Sequence, residues 1–173
     1  MVACVFLLLL TLASSKQLLV PHNRSCNTPT VPLLSYHIHV LFPSSDILKT
    51  KEALALQVHF LKEFNLVGQP NCTMTAGDPA ATFTEICAFE IDWQPAGPFL
   101  TSQYSFFIPL DHLLRTTTWI TRNRGSLDIL IHPNSGCEVE DHTEWSLWGG
   151  TKWELNSNIF SCEYPGCVPK TTR

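Results

Sequence analysis

The sequence predicts an α+β domain of ferredoxin-like β-α-β-β-α-β order. That is a four-stranded antiparallel sheet with two helices on one face, here stabilised by disulfides. Three observations predict it. Four runs rich in β-branched and aromatic residues, at 33–42, 82–93, 102–108 and 127–132, are bounded by proline or glycine. Two stretches with apolar residues at helical spacing follow the first and third runs. A turn at Gln94–Pro98 joins the second run to the third, a short connection of the kind antiparallel neighbours allow.

Each element has its own signal. The first strand, Leu33–Phe42, is stopped by Pro43. Ser44, Ser45 and Asp46 then offer helix N-caps. Behind them Ile47, Leu48, Leu54, Val58, Leu61 and Phe64 recur at helical spacing until Gly68. His59 falls on this helix and reads as a surface or partly buried residue. In the second strand, Thr82–Trp93, Phe83, Glu85, Cys87, Phe89 and Ile91 alternate with Thr84, Ile86, Ala88, Glu90 and Asp92. Apolar residues on both faces suit a strand covered on one side and half-buried on the other. After the third strand, Ser102–Ile108, Pro109-Leu110-Asp111 opens a second helix through about Asn123. Leu113, Leu114, Thr117 and Ile120 line its inner face, flanked by Trp119. Gly125 ends the helix, Arg124 meets the last carbonyls, and Leu127–His132 is the fourth strand.

The flanks point to an oxidising compartment. Val2–Leu12 is apolar, Ala13-Ser14-Ser15 supplies small residues, and the run is shorter than the roughly 20 residues that span a bilayer. Residues 1–15 are expected to be a secretory signal, 16–32 an exposed arm, 33–150 the domain and 151–173 a cysteine-bearing tail. Cys4 leaves with the signal. Cys26, Cys72, Cys87, Cys137, Cys162 and Cys167 form an even set that reads as disulfides of unspecified pairing. No Cys-x-x-Cys pair suggests a zinc finger. Asn23-Arg24-Ser25 and Asn71-Cys72-Thr73 are glycosylation sequons, making Asn23 and Asn71 the expected acceptors. A net charge of −4 without a basic patch argues against nucleic acid as a partner. No other stretch reaches transmembrane length, so the mature chain is expected to be soluble, secreted and free of the membrane.

The histidines carry the chemistry. His37 and His39 are two apart on a strand, so both imidazoles project from one face. That is half of a metal site. His132 ends the fourth strand, held extended by Pro133, and His142 follows ten residues later. If these strands neighbour each other, three or four imidazoles converge on one pocket. The plainer reading is a set of histidines packed at a subunit interface or individually hydrogen-bonded. His22 and His112 belong to the arm and to a helix start, outside the candidate site.

Three stretches together resemble the DOPA 4,5-dioxygenase family. They are Ser35-Tyr36-His37-Ile38-His39-Val40, then Asn123 to Asn134 with its Arg124-Gly125 and His132-Pro133-Asn134, then Asp141-His142-Thr143 followed by Leu147-Trp148-Gly149. The resemblance implies a ferredoxin-like fold, commonly a homodimer. It also implies extradiol cleavage of a catechol ring by oxygen at a histidine-rich metal site. It puts His37, His39, His132 and His142 forward as site residues. His37, His39 and His132 are then the expected metal ligands, and His142 and His39 the expected catalytic groups. Arg124, Phe99 and Trp148 are expected, from their own chemistry, to contact the substrate. The departure is Gly97-Pro98-Phe99, where relatives usually carry histidine after the Gly-Pro. Phenylalanine neither binds a metal nor shuttles a proton.

By resemblance the cofactor is Fe(II), bound by neutral imidazoles and usually one carboxylate; Glu90, Asp141 and Glu144 are available. An oxidising compartment leaves zinc, copper or no metal open. Two functions follow: a secreted dioxygenase-like protein acting on a small aromatic catechol, or a non-catalytic binder of an aromatic molecule or metal on the same fold. A disulfide-stabilised structural or signalling protein without ligand is a third.

Overall fold

Among the described residues, five strands and three α-helices build the domain. The computed structural model describes Cys26, Leu33 and residues 35–73 and 85–160. Strand β1 (Ser35–Phe42) is central and pairs antiparallel with β3 (Ser102–Pro109) on one side and β4 (Asp128–Asn134) on the other. Strand β2 (Cys87–Ala88) extends the sheet beyond β3, and β5 (Leu147–Gly149) extends it beyond β4. The order is therefore β2-β3-β1-β4-β5, antiparallel throughout. This makes five strands where the sequence reading expected four. Leu147–Gly149 is too short to announce itself by alternation.

Helices α1 (Ile47–Glu63) and α2 (Leu113–Asn123) cover one face. Their Ala53, Leu56, Phe60 and Ile120 pack on Ile38, Val40, Phe42, Tyr104, Phe106, Ile108, Ile129 and Ile131. Asp46 caps α1, accepting from the Leu48 and Lys49 amides at 2.9 and 3.0 Å. The inner faces differ from the expected stripes. Ile47, Leu48 and Val58 are exposed on α1, and Leu114 is 82% exposed on α2. The small residues Ala53 and Thr116 are buried instead, beside Leu56, Phe60 and Ile120. Thr116 tolerates this by donating its hydroxyl to the His112 carbonyl at 2.9 Å. Helix α1 also ends earlier than Gly68, with Asn65 at φ 58 in the left-handed region after the cap.

The second predicted strand shrinks to two residues. Residues 82–84 lie outside the described set, but 85–93 show what breaks the ladder. Ala88 pairs with Phe106, and the next bridge is Asp92 with Gln103. Four steps on one chain match three on the other, so one extra residue is inserted: a β-bulge. Parity then reverses. Ile86 and Ala88 face the helices, yet so does Ile91, while Asp92 is swung to the opposite face, opposite Gln103.

The second face of the sheet is covered by short elements rather than long helices. A one-turn helix α3 (Glu138–His142) lies against β4. Phe99, Trp148, Trp153 and Leu155 pack on Leu41 and Leu130. The segment after Gly150 belongs to this cover: Leu155 bridges to Phe99, and the Trp153 indole donates to Asp128 at 2.8 Å. Among the described residues two disulfides are formed, Cys26–Cys137 and Cys72–Cys87. The first ties residue 26 to the start of α3 across 111 residues, a loop length that stabilises by about 4–5 kcal/mol in the chain-entropy picture. Cys162 and Cys167 lie outside the described residues, as do Asn23 and the expected signal segment.

Candidate metal centre

Register alone brings three imidazoles together. On β1, His37 and His39 share the face away from α1 and α2. On β4, His132 is directly opposite His37 and therefore shares that face. The ring nitrogens of His37, His39 and His132 that could take a ligand lie within 4.8 Å of one another. All three side chains are buried, by Phe99, Phe89, Phe107 and His142. Among the described residues this group contains no carboxylate.

Hydrogen bonds orient the rings. His39 Nδ1 stands 2.9 Å from the Gln103 side-chain oxygen, and His39 Nε2 stands 3.1 Å from His132 Nε2. His132 Nδ1 donates to the Pro133 carbonyl at 2.8 Å, so its Nε2 is the lone-pair end of a neutral ring. His37 Nε2 is buried and has no hydrogen-bond partner among the described residues. Such an orphan normally costs about 1–3 kcal/mol.

These features fit a divalent metal. Two imidazole nitrogens about 2.0–2.1 Å from one ion, at octahedral to tetrahedral angles, stand roughly 2.9–3.4 Å apart, and the observed separation is 3.1 Å. The donors are also in the right protonation state. Burial, with the neighbouring imidazoles, pushes His37 down to about 3 and holds His39 and His132 well below the ordinary histidine value. The rings are neutral at physiological pH, which metal binding requires.

His142 completes the aromatic enclosure from α3. Its ring centroid is 3.9 Å from that of His132 and 4.7 Å from that of Phe160. Its Nδ1 donates to the Glu138 carbonyl at 2.8 Å, and burial lowers it to about 4. Phe99 is buried with its ring 4.4 Å from His39. Trp148 packs on Leu130 two residues from His132, its indole N–H buried without a partner among the described residues. Arg124 is placed elsewhere. Its guanidinium donates to the Leu127 carbonyl at 2.6 Å, about 16 Å of strand away from His132.

The carboxylates named from sequence do not join the histidines. Asp141 is buried and accepts from the Ser135 amide and hydroxyl at 2.9 and 2.7 Å, which fixes the loop into α3. Burial raises it to about 7. Glu90 accepts from the Asn71 side chain at 3.4 Å. Sequence reasoning missed Gln103 and Asp92. Gln103 is readable from the parity of β3 once β1 is its neighbour; Asp92 is not, because the bulge reverses its face.

Comparison with known proteins relates the chain to one family. The family model of the Dopa 4,5-dioxygenase family matches residues 36–159, which include His37, His39, His132, His142, Phe99 and Gln103. A curated DOPA 4,5-dioxygenase of Amanita muscaria is 26% identical over 121 residues, which cover 70% of this chain and 47% of that protein. The chain thus spans about half the length of that curated relative. A solved structure from Nostoc punctiforme PCC 73102, described as a "putative dioxygenase", superposes with a TM-score of 0.57 at 25% identity, covering 76% of this chain and 95% of that one. With the family model matching well over half its length, the chain belongs to the Dopa 4,5-dioxygenase family.

Proposed function

We propose that this protein is a secreted dioxygenase-like protein that holds a divalent metal on His37, His39 and His132 and takes a small catechol as substrate. The observation that carries the reading is the convergence of three buried, neutral imidazoles, two with facing Nε2 atoms and one with an orphaned Nε2. A metal held there supplies a Lewis-acid and redox centre for cleaving a catechol ring with oxygen. Fe(II) is the metal by family; the all-imidazole set also suits zinc or copper.

The chain's own residues do the rest. Burial keeps the three rings unprotonated and available as donors. His142, its Nδ1 committed to Glu138, holds or releases a proton only at Nε2. Phe99 excludes water beside His39 and lends an aromatic wall, as Trp148 does beyond Leu130.

The strand order β2-β3-β1-β4 with α1 and α2 on one face supports the ferredoxin-like reading, with β5 as an addition. Two disulfides and the exposed Asn71 sequon support secretion and glycosylation. A homodimer is proposed from the family.

A second reading is favoured by Phe99, which stands against His39 where the family resemblance expects a histidine. On that reading the protein binds an aromatic molecule or a metal without turnover. The deciding experiment is elemental analysis of protein secreted by a eukaryotic host and purified without a metal column, with His37→Ala in parallel. Near-stoichiometric metal that the variant lacks, together with catechol-dependent oxygen uptake, supports the enzyme. Metal without uptake supports the binder. No metal even after anaerobic iron loading sinks the metal site.

A further inference from the structure

We infer that Gln103 and Asp92 form a positioning pair that fixes which nitrogen of His39 carries its proton, and thereby keeps the histidine face open to a metal. The inference rests on the metal reading above, but it concerns an arrangement that exists before any metal arrives.

The pair is assembled by the sheet. Gln103 is directly opposite Leu41, two residues along β1 from His39 and on the same face. That makes it a diagonal neighbour within reach of a long side chain. Asp92 reaches this face only because of the β2 bulge. Two backbone hydrogen bonds, Asp92 amide to Gln103 carbonyl at 2.9 Å and the reverse at 3.0 Å, then hold it opposite Gln103. The Gln103 side-chain nitrogen donates to the Asp92 carboxylate.

The proton of His39 follows by elimination. An ionised carboxylate only accepts, so the amide nitrogen of Gln103 must face Asp92 and its oxygen must face His39. An amide oxygen also only accepts, so His39 Nδ1, at 2.9 Å, must be the N–H end. A neutral imidazole has one N–H, and His39 Nε2 is therefore a lone pair. His132 Nε2 is a lone pair too, because its Nδ1 is committed to the Pro133 carbonyl. The two lone pairs meet at 3.1 Å.

Without Gln103 the other tautomer wins. His39 Nε2–H would donate to His132 Nε2, satisfying both atoms and closing the site against a cation. Asp92, acting through Gln103, withholds that competing bond. Neither residue needs to touch the metal, so both are positioning residues.

The test uses the full chain, metal-free, with 15N-labelled histidine, and reads the His39 tautomer from long-range 15N–1H correlations near neutral pH. The expected wild-type state is Nδ1–H. In Gln103→Met and in Asp92→Ala it should change to Nε2–H, and Asp92→Asn, which keeps an acceptor, should restore Nδ1–H. Titration with Co(II) should show affinity reduced about 10- to 100-fold in the first two variants and about threefold or less in Asp92→Asn. Metal-free thermal stability should fall only partly in Gln103→Met, because one new imidazole–imidazole bond offsets one of the two bonds Gln103 makes, to His39 and to Asp92. Wild-type His39 as Nε2–H, or an unchanged tautomer in Gln103→Met and Asp92→Ala, overturns the inference. The expected tautomers in a wild-type protein that takes up no Co(II) would uphold the positioning pair and sink the metal reading.

Discussion

Replacing His37 with leucine should separate the cost of the site from its use. In the metal-free protein His37 contributes a buried Nε2 with no partner among the described residues, ringed by Phe89, Phe107 and His132 at centroid distances of 5.4, 5.9 and 5.2 Å. Removing an unsatisfied buried polar atom returns about 1–3 kcal/mol. A near-isosteric swap into a packed region costs less than about 1.5 kcal/mol in misfit. His37→Leu should therefore be as stable as wild type in chelator, or more stable by up to about 2 kcal/mol, which at this chain length is about 2–4 °C in Tm per kcal/mol. With metal at about 100-fold over its Kd, wild type should gain about 2.7 kcal/mol, and the variant should gain little. The order of the two melting curves then inverts between chelator and metal. Differential scanning calorimetry under both conditions reads this directly. A variant that loses more than about 2 kcal/mol in chelator would mean that His37 is a structural group rather than a held-open donor. Equal metal stabilisation of both proteins would put the metal elsewhere.

Three further outcomes follow from the same geometry. Phe99→His should create or raise catechol-dependent oxygen uptake, at about 1–3 kcal/mol of stability for burying an imidazole in an apolar setting; an iron-loaded, folded variant with unchanged uptake would refute position 99 as the point of departure. The metal-free protein should lose stability as pH falls. His37 and His142 are lowered by burial to about 3 and about 4, and His39 and His132 are lowered as well, so the unfolded chain takes up protons first. Their contribution is full above about pH 6.5 and drains toward pH 3–4. Asp141, raised to about 7, and Glu138, also raised, act in the opposite sense between about pH 4 and 7. Four groups against two give a net acid lability, checked by urea unfolding at stepped pH; stability rising as pH falls from 6.5 to 4.5 would contradict it. Finally, Asn71 is exposed, so protein from a secretory host should carry a glycan there that Asn71→Gln removes on a mass spectrum.

Much of the site was legible because strand parity is a strong rule. His37 and His39 had to share a face, and β4, ending in a His-Pro that the ladder extends through, had to present His132 beside them once it paired with β1. What failed were features without a period. The bulge in 85–93 inverts the face of Asp92, and no residue type there marks the extra residue. The helix stripes misled because apolar Ile47, Leu48 and Leu114 sit on solvent faces while Ala53 and Thr116 are buried. Phe99 was legible as a departure; its stacking on His39 was not, since it depends on the Phe99–Leu155 bridge, between segments far apart in sequence. Arg124 drew attention within a motif, yet its guanidinium braces the turn into β4. A side chain at Gly125 in that turn would be strained, as its φ is +57, and its Cβ would sit 2.2 Å from the Glu52 carboxylate oxygen, which would have to move.

The opposition of His37 and His132 across β1 and β4 has a consequence for how the chain assembles. Every side chain in a strand changes face if pairing slips by one residue. A slipped β4 would set Ile131 or Pro133 against His37 and turn His132 toward α1 and α2. Only molecules with the native pairing therefore present three imidazoles to one point. An ion bound by these three histidines during folding would stabilise those molecules alone, so the same residues would then proof-read strand alignment, retaining correctly paired chains and leaving misaligned ones free to unfold and try again.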